Sequence, residues 1–271
     1  MQISRQIFAA FVCVGVLGSA AVIGGGPALA FDPEKVFEEK KPSPNKIIRF
    51  FFKAWKQGDN EDAIGALKYA AEQGDHGAQW KLGQMYASGQ GVQKSDAEAF
   101  HLYKQIADSY PNAQPGTADW TFTANAMVAL GRYYLTGIPD AGIPADPYEA
   151  RVMFTTAATY FGHSEAQFQL ARLHLEGSDA EVNVIQAARM LKKASAQGHP
   201  GAEALLGNLL FEGRYLRRDP VRGLQMMLNA QRRAAGRDAE WISAMQEEAF
   251  ALATAEERSA AIALVQQAKA Q

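Results

Sequence analysis

The chain has 271 residues, 27 of them basic and 29 acidic, for a formal net charge of -2, and 48% of it is hydrophobic. That balance leaves no basic field to hold nucleic acid, and the single cysteine, Cys13, excludes a disulfide framework. Abundant alanine, with few β-branched runs beyond residue 60, points to an all-α chain.

The first segment has the order of an export signal. Arg5 gives a weakly basic start, and Ile7 to Ile23 is an almost uncharged apolar run. Ala28 and Ala30 then place small residues where a signal peptidase reads them. Residues 1–30 are therefore expected to be a cleaved signal peptide. The alternative is an uncleaved anchor of about the minimum spanning length. Cleavage would remove Cys13 and leave an exported chain held by packing alone. Residues 31–46 are charged and carry three prolines, which predicts a flexible lead-in.

From residue 47 the chain repeats itself. One pattern, small-x-x-x-large-x-x-small, runs through Ala63, Leu67, Ala70, then Ala99, Tyr103, Ile106, then Ala150, Phe154, Ala157. It returns at Ala187, Leu191, Ala194 and at Gly223, Met227, Ala230. This spacing is one face of a helix, here termed the B helix. Between the copies stands Leu-Gly-x-x-Tyr-x-x-Gly, at Leu82, Gly83, Tyr86, Gly89 and again at Leu130, Gly131, Tyr134, Gly137. Weaker copies begin at Leu170 and Leu206, and a small residue precedes each leucine by four: Ala78, Ala126, Ala166, Ala202. This is the A helix. Its inner glycine costs up to about 1 kcal/mol relative to alanine, so its recurrence implies close helix packing. The outer glycine ends the helix in a left-handed cap.

Alternating A and B helices with a period near 36 residues predict a right-handed α/α superhelical solenoid over residues 47–236. The step from Ala99 to Ala150 is about 15 residues too long. Tyr110–Asp119 and Ile138–Pro147, rich in proline and glycine, are the two places that could take the insertion. From Arg237 the repeat stops. Asp238 can start one helix, and Thr254 with Glu257 forms a capping box for another. Residues 237–271 are expected to be a helix pair that caps the open end of the core.

The signature carried by Ala78, Leu82, Gly83, Tyr86, Gly89, Gly91, Val92, Asp96, Ala97, Ala99, Tyr103 and Ala107 resembles the Sel-one-like (Sel1) repeat, a TPR-like helical hairpin. At whole-chain scale the sequence is similar to the periplasmic exopolysaccharide production negative regulators of the ExoR type. The stretches TAATYFGHSEAQFQLARLHLEG and AMQEEAFALAT carry most of that similarity. The resemblance implies a periplasmic, non-enzymatic protein that binds the sensor domain of a membrane histidine kinase and represses its two-component pathway. Exopolysaccharide output, motility and biofilm formation would follow that pathway, and a periplasmic protease would relieve the inhibition. A scaffold organising envelope proteins is the alternative.

No catalytic site, cofactor site or metal site is expected. G-x-S-x-G, Walker and H-E-x-x-H patterns are absent, and the glycines fall at the repeat period rather than after strands. No small-molecule substrate is implied. A wall-cleaving enzyme would need a convergent carboxylate pair, and none stands out. His76, His163 and His199 read as one recurring place at the start of the A helices: a repeated polar residue, with a pH-responsive ladder as the alternative. Equivalent positions in stacked repeats lie about 10 Å apart, too far to share one metal ion.

Partner binding falls to the A helices, which line the concave side of such solenoids. Gln84, Arg132, Arg172 and Asn208 share one register, and Trp80 and Phe168 share another, with Lys81 and Gln169 beside them. Polar positions with arginine and aromatic anchors suit protein recognition. The other reading of the same ladder is a solvated face with Trp80 and Phe168 in the core.

Overall fold

The computed structural model describes residues 31–37, 42–176 and 184–268. The expected signal segment, with Ala28 and Ala30, lies outside the described residues. Among the described residues, thirteen α-helices follow one another: α1 Pro33–Phe37, α2 Pro44–Gln57, α3 Asn60–Glu72, α4 His76–Ser88, α5 Asp96–Asp108, α6 Ala118–Thr136 and α7 Pro147–Thr159. The rest are α8 Ser164–Glu176, α9 Val184–Ala196, α10 Pro200–Glu212, α11 Pro220–Arg233, α12 Arg237–Leu252 and α13 Ala255–Gln267. Among the described residues no helix is long and apolar enough to cross a membrane.

From α3 to α11, each helix packs on the one before it and the one after it, α12 packs on α11, and the larger second-neighbour contacts are α4 with α6, α10 with α12 and α11 with α13. This is a solenoid of helical hairpins, in which contacts are local and the core runs the length of the array. The B-helix triads form its spine. Ala63, Leu67, Ala70, Ala150, Phe154, Ala157, Ala187, Leu191, Ala194, Met227 and Ala230 are all sealed from solvent.

The inner glycines have the packing role their recurrence implied. A Cβ on Gly83 would lie 2.6 Å from the Tyr103 ring, and one on Gly131 would lie 2.6 Å from the Phe154 ring. At Gly207 the obstacle is the Gly223 carbonyl oxygen, 2.7 Å away, so α10 and α11 meet backbone to backbone.

Both proline-rich stretches carry the insertion, and the helix between them shares it. The link from α5 to α6 spans 109–117 and includes a 3-10 turn at Tyr110–Asn112. Helix α6 has 19 residues, where α4, α8 and α10 each have 13. The link to α7 spans 137–146 and is pinned by an antiparallel bridge between Ile138 and Ile143.

Two boundaries differ from the sequence reading. Within the lead-in, α1 and Phe31 pack on the first hairpin, with the Phe31 ring 5.9 Å from Phe50 and 6.3 Å from Tyr69. Gly65 accommodates it, since a Cβ there would meet the Phe31 Cβ at 2.5 Å. Aromatic burial outweighs the charged composition of this stretch. The solenoid also begins at Pro44, with α2 as a first A helix. Ile47, Phe51, Trp55 and Gly58 repeat the spacing of Ala78, Leu82, Tyr86 and Gly89, but Phe52 stands where the glycine should be. At the other end the Thr254–Glu257 capping box is present, while Asp238 sits in the first turn of α12 and accepts from the Trp241 indole at 2.9 Å. Helix α13 buries Ala261 and Val265, and α13 and α12 close over α11 and α10.

Candidate partner-binding face

The A helices start from a recurring cap position, three residues before the small residue of the repeat. In α4 this is Asp75, whose carboxylate accepts from the Ala78 N–H at 2.7 Å. In α8 and α10 it is His163 and His199, whose Nδ1 atoms accept from the Ala166 and Ala202 N–H groups at 3.4 and 3.1 Å. His76 follows its cap by one residue. The three histidines therefore do not share one place: His163 and His199 do, and His76 is one step out of register. Its Nδ1 lies 3.2 Å from the Asp119 carboxylate without hydrogen-bond geometry.

In α6 and α8, the residue just before the small residue of the repeat (Ala126, Ala166) meets the next cap. Asn125 Oδ1 accepts from His163 Nε2 at 2.9 Å, and Glu165 Oε2 accepts from His199 Nε2 at 2.8 Å. Each imidazole thus accepts through Nδ1 and donates through Nε2, which assigns its tautomer. Burial holds the His163 pKa below its ordinary value.

Glu165 is the hub of this face. Its Oε1 accepts from Arg132 Nη2 of α6 at 2.6 Å and from Gln169 Nε2 of its own helix at 2.7 Å. With His199 at the start of α10, one carboxylate joins three successive A helices. Burial opposes its ionisation, but the hydrogen bond from His199, the charge of Arg132 and the hydrogen bond from Gln169 prevail and hold it well below the usual carboxylate range.

The expected ladder is thereby divided. Arg132 and Gln169 come together on Glu165. Arg172 pairs with Glu176 at 2.9 Å, and its guanidinium lies 5.9 Å from the Phe168 ring centre. Asn208 donates to Glu212 at 2.9 Å. Gln84 is exposed and Lys81 half-buried on α4, apart from the Glu165 cluster. Trp80 is half-buried with its ring 5.0 Å from Tyr103. Phe168 is 3% exposed, stacked on His199 at 4.6 Å and parallel to Trp241 at 6.3 Å. It is a core residue rather than an accessible anchor, because the capping helix α12 and the next cap close over it. Glu165 and His199 were not among the expected binding residues. The one local sign for Glu165 is an acid in the first turn of a helix, a common arrangement.

A second ladder runs beneath, four residues past each cap. Gln79 donates to the Ala71 carbonyl and to Gln105 at 3.1 Å each. Gln167 donates to the Ala158 carbonyl at 3.3 Å and accepts from Gln197 at 3.0 Å. Glu203 takes the equivalent place and pairs with Arg233. These buried side chains bond across repeat boundaries, which sets the stacking register, although Gln79 Oε1 is left without a hydrogen-bond partner among the described residues. Among the described residues no group of histidine, cysteine and acidic side chains has the arrangement of a metal site.

Four segments, 76–110, 124–159, 164–199 and 200–230, match the Sel1 repeat. Two relatives match nearly the whole chain. The exopolysaccharide production negative regulator of Rhizobium meliloti (strain 1021) is 42% identical over 257 residues, 93% of each chain. Its counterpart from Rhizobium leguminosarum bv. viciae is 39% identical over 255 residues, 94% of this chain and 92% of the relative. The chain belongs to this family of negative regulators. Among solved structures, a Sel1 repeat protein from Oxalobacter formigenes superposes with a TM-score of 0.58 at 23% identity, over 81% of this chain and 94% of that chain. That likeness concerns the fold alone. The similarity to the regulator family extends beyond the four repeat segments, whereas the Sel1 match leaves out the α2–α3 hairpin and the α12–α13 pair.

Proposed function

We propose that the chain is an exported, non-enzymatic negative regulator. It binds the periplasmic sensor domain of a membrane histidine kinase and represses that two-component pathway, and so controls exopolysaccharide production, motility and biofilm formation. The observation that carries the reading is near whole-chain similarity, at 39–42% identity, to relatives named exopolysaccharide production negative regulators. A hairpin solenoid adds an extended surface suited to a protein partner. On the A-helix face, Gln84, Lys81, Trp80, Arg172 and Asn208 are the contact candidates, with Arg132 and Gln169 held in place by Glu165.

Deletion of the gene with measurement of secreted polysaccharide tests the regulatory role. Overproduction is expected; unchanged polymer would sink it. Binding of the purified chain to the sensor domain, followed by calorimetry, tests the partner. Recovery of several envelope proteins but no kinase would favour the scaffold reading instead.

A further inference from the structure

Charge is distributed unevenly along the solenoid. Residues 184–236 carry nine Arg or Lys against three Asp or Glu, whereas the rest of the chain carries 18 against 26. Of the nine, Arg218 pairs with Glu257 and Arg233 with Glu203. Arg189, Lys192, Lys193, Arg217, Arg222 and Arg232 are exposed and have no acidic partner among the described residues. They lie on α9, on α11 and on the loop before α11. The ends of α9 and α11 are close, since a Cβ on Gly198 would lie 3.7 Å from Arg233 Nη1.

Helix dipoles account for only part of this. Lys193 and Arg232 stand in last turns, where a cation is favoured. Arg222 stands in the first turn of α11, where a cation is disfavoured, and Arg189 lies mid-helix. Large apolar side chains stand among these cations. Ile185, one turn before Arg189, is 60% exposed, and Tyr215 is 52% exposed with the Arg214 guanidinium 5.0 Å from its ring centre. On the preceding B helix, Tyr148 occupies the same register as Ile185 and is 72% exposed. Arginine together with protruding aromatic and aliphatic residues is the composition of a protein interface.

We infer that the B-helix face formed by α9, α11 and the loop before α11 docks an acidic protein surface, and that this surface belongs to the kinase sensor domain. This rests on the function proposed above and assigns part of the contact to the opposite layer from the A-helix face. Charge complementarity selects the partner and speeds encounter, while Ile185 and Tyr215 supply the apolar contacts.

The test uses the purified chain and the purified sensor domain, with Kd measured at low and at physiological salt. Three forms are compared: wild type, the triple reversal Arg189→Glu, Lys192→Glu, Arg222→Glu, and the milder Arg189→Gln, Lys192→Gln, Arg222→Gln. A Lys53→Glu, Lys68→Glu variant on the first hairpin is the control. Reversal should raise Kd by about 10-fold or more, neutralisation by less, and both should flatten the salt dependence, with the control unchanged. Wild-type binding that is indifferent to both triple variants would overturn this inference and leave the proposed function standing. No wild-type binding would overturn both. Loss of binding to anionic vesicles or to acidic polysaccharide, with sensor binding intact, would also overturn it and assign the face to those ligands.

Discussion

The Glu165 carboxylate and the His199 imidazole meet at 2.8 Å, joining α8 to the cap of α10. Because His199 Nδ1 is occupied by the Ala202 N–H, the proton on Nε2 points at Glu165. One residue thus ends a loop, starts a helix and fixes the register of two repeats.

Replacing the hub should be costly. Glu165→Gln removes the charge that Arg132 and His199 bind, and a loss of about 1–3 kcal/mol is expected from chemical denaturation near neutral pH. The folded carboxyl is held below its ordinary value of 4.5, so its contribution is present above that pH and is lost as pH falls below it. The gap between wild type and variant should therefore close on acidification. A gap that stays constant would show that shape rather than charge is responsible.

The cap and the bridge of His199 can be separated. His199→Asn keeps a side-chain acceptor for the Ala202 N–H, whereas His199→Ala loses both contacts. The alanine variant should cost about 1–2 kcal/mol and the asparagine variant less, read from thermal melts. Equal losses would assign the whole effect to the Glu165 contact.

At Gly207, alanine would gain up to about 1 kcal/mol of helix propensity but meet the Gly223 carbonyl. Overpacking of about 1–3 kcal/mol should prevail, so Gly207→Ala is expected to destabilise. Gly83→Ala meets the Tyr103 ring instead and should cost less if that ring can shift. A stabilised Gly207→Ala would contradict the backbone contact between α10 and α11.

Phe168→Ala should destabilise by about 3–5 kcal/mol, since it empties the space between His199 and Trp241. Gln84→Ala and Asn208→Ala should change stability by no more than about 0.5 kcal/mol. Sensor-domain affinity is thus informative for the second pair and is confounded by folding for the first.

Burial and the charge of Asp96 push the Tyr103 phenol up to about 12, and burial with the hydrogen bond to Asp96 raises Tyr133 as well. Both resist ionisation in the folded chain, so alkaline pH above the ordinary value of 10.0 should favour unfolding. A phenolate titration followed with circular dichroism should show late tyrosines, Tyr103 and Tyr133 among them, that ionise with unfolding. Tyr103→Phe and Tyr133→Phe should each remove one.

The sequence by itself determined the A and B helices, their order, the close-packing glycines and the terminal capping box. These are local patterns with periods of three to four residues, and each repeat shows the same pattern again. It also carried the family resemblance, through motifs spread along the chain. Tertiary structure alone decided which polar residues meet. Glu165 lies 33 residues from Arg132 and 34 from His199, and only the stacking of hairpins brings them into contact. It also moved Phe168 into the core, because the residues that cover it come from the next repeat and from α12. The A-helix signature of the first hairpin was obscured by Phe52 in the glycine place, and the histidine register by one residue of slippage at His76. In both cases the helix was legible, but the partner across the repeat boundary was not, since stacking is set by contacts between segments far apart in the chain.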